Sequence, residues 1–278
     1  MAAPTDAFAT RTWETWTEPT IVDVNGIPTA YRRQGSGPTV VYLHGERGTR
    51  AWLPIYAKLA ENFDVIVPEH PGYGDTPLGE GFSTWQDWIL HYEAFFRTLE
   101  LGEFHLVGDA FGSWLAANLA IYYPDRFASL TLITPMGLRL KDVTSVDVFR
   151  LEDDEVNEIF FNGRRDKVKH LLEQENELED YLQAYQEFGS YALLAWNPRY
   201  DIKLDSRLTH VLAPTVVVGV DEDRAVSNEM AKRFADLIPA AELKVVHGPA
   251  GQPSGHHVTF EQPNEVAAVI ADHVSKNS

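Results

Sequence analysis

Apolar β-formers recur along the chain in short unbroken runs: Thr39-Val40-Val41-Tyr42-Leu43, Asp64-Val65-Ile66-Val67, Phe104-His105-Leu106-Val107, Leu130-Thr131-Leu132-Ile133, Thr215-Val216-Val217-Val218 and Leu243-Lys244-Val245-Val246. Runs of this kind, without polar alternation, predict strands covered on both faces and therefore a mostly parallel sheet. Between them, helical apolar spacing predicts helices over 52–61, 85–99, 113–123, 227–237 and 263–275. Strand followed by helix, repeated, is the pattern of a doubly wound α/β architecture. Ahead of this series, Ile21-Val22-Asp23-Val24 and Thr29-Ala30-Tyr31-Arg32-Arg33 flank Asn25-Gly26. An Asn-Gly pair between strand-like runs predicts a hairpin.

The rhythm breaks once. From 138 to 209 no buried strand pattern occurs, and Leu, Glu, Asp and Tyr at helical spacing predict an inserted helical cap. The expected organisation is an extension over 1–20, a core of 21–137 plus 210–278, and the cap over 138–209. Trp13 and Trp16 suggest that the extension packs back onto the body, with a loose tail as the alternative reading. Phe160, Phe161, Tyr185, Phe188, Tyr191 and Trp196 suggest an apolar cavity under the cap, although aromatic residues at helical spacing are expected mainly in its core. Charge runs such as Glu152-Asp153-Asp154-Glu155 read as solvated helix surface.

Composition narrows the function classes. The 278 residues include 41 Asp and Glu against 23 Lys and Arg, a formal charge of −18, which repels a phosphate backbone and makes nucleic acid an unsuitable partner. There is no cysteine, so disulfides, thiolate catalysis and cysteine metal sites drop out together. The histidines are scattered, without the spacing of a metal centre, and no metal or cofactor is expected. Met1-Ala2-Ala3-Pro4 has neither a basic start nor an apolar core of a signal peptide, and no run of about 18 apolar residues occurs. The expectation is a cytoplasmic protein without a membrane partner, acting on a small and partly apolar molecule; a homodimer is compatible with it.

In such a sheet, ligands bind beyond the carboxyl ends of the strands, so the residues after each run carry the chemistry. Gly108-Asp109-Ala110-Phe111-Gly112 follows one strand and opens a helix. Two glycines flanking a central residue are what a sharp strand-to-helix turn requires, and such a turn lifts one side chain above the sheet. Here that side chain is the methyl group of Ala110. After the first buried strand, His44-Gly45-Glu46-Arg47-Gly48 offers amide N–H groups to an oxyanion. After Val218 comes Gly219-Val220-Asp221-Glu222-Asp223, a loop whose Asp223, with Asp221 in reserve, can orient a histidine. After Val246, Gly255-His256-His257 supplies that histidine, with His256 preferred.

The order of elbow, acid and histidine, together with Pro68-Glu69-His70-Pro71-Gly72-Tyr73-Gly74-Asp75-Thr76 and Glu261 five residues beyond His256, resembles the α/β-hydrolase superfamily over 21–275. The chain is most similar to capped esterases, lactonases and carbon–carbon bond hydrolases. The resemblance implies a nucleophile position at Ala110, His256 as base and then acid, Asp223 as its orienting partner, and an oxyanion hole from the N–H groups of Phe111 and Glu46. Gly45, Asp109 and Trp196 are expected against the substrate.

Ala110 is the departure from the pattern. A Ser→Ala replacement that lets substrate bind without turnover fits the intact His256 and Asp223, and is the expectation. The alternatives are a chain naturally without the serine that works as a cofactor-free lyase, cyclase or oxygenase through His256, or a binding protein. Asp109 precedes the lifted position, so its side chain is expected to point away from it, and Ser113 falls inside the helix. Glu46 is expected as an exposed turn residue; buried, it is a candidate proton donor.

Overall fold

The computed structural model describes residues 15–141, 146–172, 177–195 and 201–278. The Asn-Gly signal produces its hairpin: β1 (Thr20–Val24) and β2 (Ile27–Gln34) pair antiparallel across Asn25 and Gly26, whose φ values of 54° and 87° are those the tight turn demands. The runs that follow form β3 (Thr39–Leu43), β4 (Asp64–Pro68), β5 (Phe104–Asp109), β6 (Phe127–Ile133), β7 (Thr215–Val220) and β8 (Glu242–Val246). They build one eight-stranded sheet in the order β1-β2-β4-β3-β5-β6-β7-β8, parallel from β4 to β8. This is the doubly wound α/β architecture with a mostly parallel sheet that the sequence pattern predicts.

The direction of winding reverses at β3, which has β4 on one side and β5 on the other. The crevice beyond the ends of β3 and β5 is therefore where a ligand belongs. Gly45 and Glu46 leave from one of these strands and Ala110 from the other.

The helices predicted around the sheet are α1 (Pro54–Ala60), α2 (Trp85–Thr98) and α3 (Phe111–Tyr122), and, after the insertion, α8 (Asn228–Leu237) and α10 (Pro263–Lys276); the four-residue α9 (Val258–Glu261) precedes the last. In α3 every residue from Phe111 to Ala120 is buried, as a helix apolar on all sides must be. It starts two residues earlier than its periodicity suggests, directly after Ala110. One strand differs from expectation: β8 is not covered on both faces. It is an edge strand with Glu242 to Val245 exposed, because nothing pairs beyond it.

Between β6 and β7 lie α4 (Asp153–Phe160), α5 (Arg165–Leu172), α6 (Glu177–Ala195) and α7 (Leu204–Arg207), with no strand among the described residues. Phe160, Phe161 and Tyr191 are buried, but Tyr185 and Phe188 are exposed, at 71% and 41%, contrary to the expectation that such aromatics join a core. Phe188 packs on Phe149 at a void that Glu46 and Tyr73 also line. Trp196 and Trp13 lie outside the described residues. The neighbouring Trp16 forms a β-bridge with Ala51, and Trp52 N–H donates to the Thr15 carbonyl.

Candidate functional site

The turn after β5 is built by exclusion of side chains. A Cβ on Gly112 would lie 2.1 Å from the Leu43 carbonyl oxygen, and one on Gly108 would lie 2.5 Å from the Gly112 carbonyl oxygen. Only glycine lets the helix start this close to the strands. Between them Ala110 has φ 47° and ψ −110°, a conformation that costs an L residue about 1–3 kcal/mol and persists only where its surroundings impose it. Those surroundings are explicit: Ala110 N–H donates to Ile133 (2.9 Å), and Ser113 Oγ, inside the helix as expected, donates to the carbonyls of Gly108 and Ile133. Gly45 lies against the lifted methyl group; a Cβ there would be 3.4 Å from the Cβ of Ala110.

Asp223 and His256 meet. His256 Nδ1 is 2.9 Å from Asp223 Oδ2, and both side chains are buried. The second Asp223 oxygen accepts from the N–H groups of Ala225 and Val226, and Asn228 holds the loop through Asp223 N–H. Of the two acids weighed in the sequence, it is Asp223 whose carboxylate hydrogen-bonds His256. Asp221 instead accepts from Gly248 N–H, Ser254 N–H and the His247 ring, which tie the long final loop together and hold its carboxyl at about 2 despite partial burial.

Burial pushes His256 down, but the charge and hydrogen bond of Asp223, with Glu46 and Asp109 behind it, outweigh burial and raise it to about 9. Burial also raises the Asp223 carboxyl, yet the imidazole holds it below its ordinary value. Near neutral pH the pair is an imidazolium and a carboxylate. The adjacent His257 has no hydrogen-bond partner for either ring nitrogen among the described residues, and burial pushes it well below 6.5, so it stays neutral.

Glu46 corrects an expectation. It is buried, with Oε2 lacking any hydrogen-bond partner among the described residues, and not an exposed turn residue. The cause is the insertion: α6 packs over the loops after β3 and β4, Ser190 donating to Gly72 O, Glu187 accepting from Gly74 N–H, and Arg50 bridging Gln183 and Asp75. Desolvation raises the Glu46 carboxyl to about 7 against the opposing charge of His256. Asp109 is buried too. Its Oδ2 accepts from Tyr42 and Thr259, so the side chain turns away from the lifted position, and burial raises it to about 6.

His256 and Glu46 open onto one cavity of about 600 Å³, otherwise walled largely by apolar groups such as Met136, Leu138, Val148, Phe149 and Val226. This is the volume and lining of a small-molecule site. Sequence reasoning missed Glu187 and Tyr73, which face a smaller void beside Glu46. Glu187 is one acid among many on a helix whose facing no single sequence discloses. Among the described residues no cluster of side chains is arranged to hold a metal ion, and no helix is long and apolar enough to cross a membrane.

Comparison with known proteins agrees with this architecture. The model of the alpha/beta hydrolase family matches residues 40–269. Monoacylglycerol lipase ABHD6 of Mus musculus is 24% identical over 263 residues, covering 86% of this chain and 76% of that protein. The enol-lactonase of Burkholderia xenovorans superposes with a TM-score of 0.75 at 18% identity, covering 92% of this chain and 100% of the other. A meta-cleavage product hydrolase of Pseudomonas fluorescens, in a serine-to-alanine mutant complexed with acetates, superposes with a TM-score of 0.74 at 22% identity over 93% of this chain and 98% of the other. At these identities the structural likenesses establish the fold. With the family model spanning most of its length, the chain belongs to the alpha/beta hydrolase family.

Proposed function

We propose that this site performs acyl-transfer hydrolysis of a small, partly apolar ester, lactone or carbon–carbon bond substrate, and that Ala110 stands where the reaction needs a serine. The observation that carries this reading is a strained strand-to-helix turn at Ala110 in the same molecule as a buried Asp223–His256 pair whose imidazole opens onto a cavity. The combination of φ 47° with ψ −110° lies outside the left-handed well that turn residues occupy, and it costs an L residue energy that sheet-building alone does not require. In the serine form, Oγ attacks the acyl carbon and His256 takes its proton. Asp223 fixes the imidazole through Nδ1, leaving Nε2 for the transfer. The N–H groups of Phe111 and Glu46 receive the developing oxyanion. His256 then returns the proton to the leaving group, and water repeats the sequence to release the acid. The helices over 138–209 act as the cap of the cavity. The chain as it stands binds substrate without forming an acyl-enzyme.

The relatives support the substrate range, since they include an enol-lactonase, a monoacylglycerol lipase and a meta-cleavage product hydrolase. The test compares the chain as it stands with Ala110→Ser, using a fluorophosphonate reporter. Labelling of the serine form alone is expected. No labelling of either, with the fold intact, overturns the hydrolase reading.

A further inference from the structure

Helix α6 turns Glu187, Ser190, Tyr191 and Leu194 inward onto the body, yet most of its large apolar side chains point the other way. Leu178, Tyr181, Leu182, Tyr185, Phe188 and Leu193 are each between 41% and 71% exposed. Their helical spacing aligns them in one stripe opposite the buried face. Together they expose roughly 700 Å², more than the largest apolar patch of an ordinary monomer and close to one partner's share of a stable dimer interface.

Charge narrows the occupant. From Tyr181 to Ala195 the helix carries no Lys or Arg, and its one acid, Glu187, is buried. In a chain of formal charge −18, this is a face on which a second copy can approach without like charges meeting. A helix that docks on a lipid surface borders its apolar face with Lys and Arg; here the border at one end is Glu179 and Asp180.

We propose that the exposed stripe of α6 is the interface of a two-fold dimer, in which the helices of two copies pack antiparallel about Tyr185. A two-fold interface requires that residue i meet j while j meets i. With the axis at Tyr185, Leu178 meets Ala192, Tyr181 meets Gly189 and Leu182 meets Phe188, each pair occurring twice. Large side chains thus fall opposite small ones, and a Cβ on Gly189 would have nothing within 4 Å, so the Tyr181 ring has room to lie over it. Glu179 and Asp180 fall level with Tyr191 and Ser190, so no acid faces an acid; a parallel pairing would set each acid beside its own copy. The dimer joins two insertions through the helix whose inner face holds the loops after β3 and β4, where Ser190 donates to Gly72 O and Glu187 accepts from Gly74 N–H. It stands independently of the chemistry in the cavity.

Sedimentation velocity of the chain at micromolar concentration is expected to show twice the mass of one chain. Tyr185→Glu sets two carboxylates against each other at the axis and, at an exposed position, costs the fold little; it is expected to raise the dimer Kd by about a hundredfold or more. Leu90→Glu, at an exposed position of α2, is expected to leave it unchanged. Because the chain has no cysteine, Tyr185→Cys offers a short bismaleimide one thiol per copy and is expected to cross-link into dimers, whereas Leu90→Cys is not. A monomer at every concentration, or a dimer that survives Tyr185→Glu, overturns the proposal. A monomer that floats with vesicles of phosphatidylcholine and phosphatidylglycerol, and ceases to do so in Tyr185→Glu, overturns it in favour of a lipid surface.

Discussion

Asp223→Asn changes one charge and almost no shape, and it isolates the electrostatics of the site. Asn Oδ1 can still accept from the N–H groups of Ala225 and Val226, which lie 2.9 and 3.0 Å from the present oxygen. What disappears is the carboxylate that holds His256 at about 9 against its own burial. An imidazole raised from 6.5 to about 9 on folding contributes roughly 3 kcal/mol, at about 1.4 kcal/mol per tenfold. Because the folded value is the higher one, that stability is fully present below about pH 6.5 and is lost as pH rises through 9. In the asparagine variant burial prevails, His256 falls below its ordinary value, and the contribution vanishes. The variant is therefore expected to lose about 3 kcal/mol near pH 6, roughly 6–10 °C in melting temperature for a chain of this size, and little near pH 10. Thermal unfolding of both proteins at the two pH values measures this. An equal loss at both would place the effect in the loop's hydrogen bonds, and no loss near pH 6 would mean that the pair is not an ion pair; either outcome refutes the reasoning.

The Ala110→Ser form needs a neutral His256, so its kcat/KM on a simple ester is expected to climb with pH toward about 9; a plateau already reached near pH 6 would contradict the charge state assigned to the pair. Gly112→Ala drives a Cβ to 2.1 Å from the Leu43 carbonyl oxygen, a clash with backbone that cannot yield cheaply, and is expected to cost about 3 kcal/mol or more; denaturant unfolding showing a loss under about 1 kcal/mol would disprove it. Arg164 joins the insertion to the helix after the histidine loop by two bonds to Glu261 (2.7 and 2.8 Å) and one to Pro253 O. Arg164→Ala is expected to cost about 1–3 kcal/mol and to speed proteolysis within 153–195, whereas an unchanged digestion rate would show that the contact does not hold the insertion down.

Sequence disclosed the fold where local rules and long-range packing ask for the same residues. Asn25-Gly26 demands a turn whatever surrounds it, and Gly108 with Gly112 marks an approach of backbones that no other residue permits. It failed where the answer depends on what covers a residue. Leu243 and Val245 read as interior strand but lie on the edge, because pairing beyond β8 is a property of topology and not of the run. Glu46 read as a turn acid because nothing in its neighbourhood of sequence signals that α6, more than 130 residues later, closes over it. Asp221 and Asp223 are two residues apart in one loop, and only their hydrogen-bond partners separate an anchor of the final loop from a partner of His256. Tyr73 was invisible for the same reason, since burial of a polar atom without a partner is a three-dimensional fact, and Glu187 because only the fold brings it to the Gly74 N–H.

The methyl group at position 110 and the acids around it belong to one problem. The left-handed φ of Ala110 is imposed by the bond to Ile133 and by the two glycines, so the position already accepts a Cβ, and a hydroxyl added there asks no new conformation of the backbone. The environment is less neutral toward the change. Three carboxyl groups, those of Asp223, Glu46 and Asp109, raise the one imidazole they surround. Above about pH 6 the carboxylates of Asp223 and Asp109 already outnumber the one imidazolium, and as pH passes about 7 Glu46 joins them and the negative excess grows. A free acid brought to this point meets repulsion in a low-dielectric cavity, whereas a neutral ester or lactone does not. After hydrolysis the same charges act on the product. In the proposed serine form, the carboxylate produced at the elbow meets this excess of negative charge, so the acidity that makes His256 a reluctant base also favours departure of the acid product.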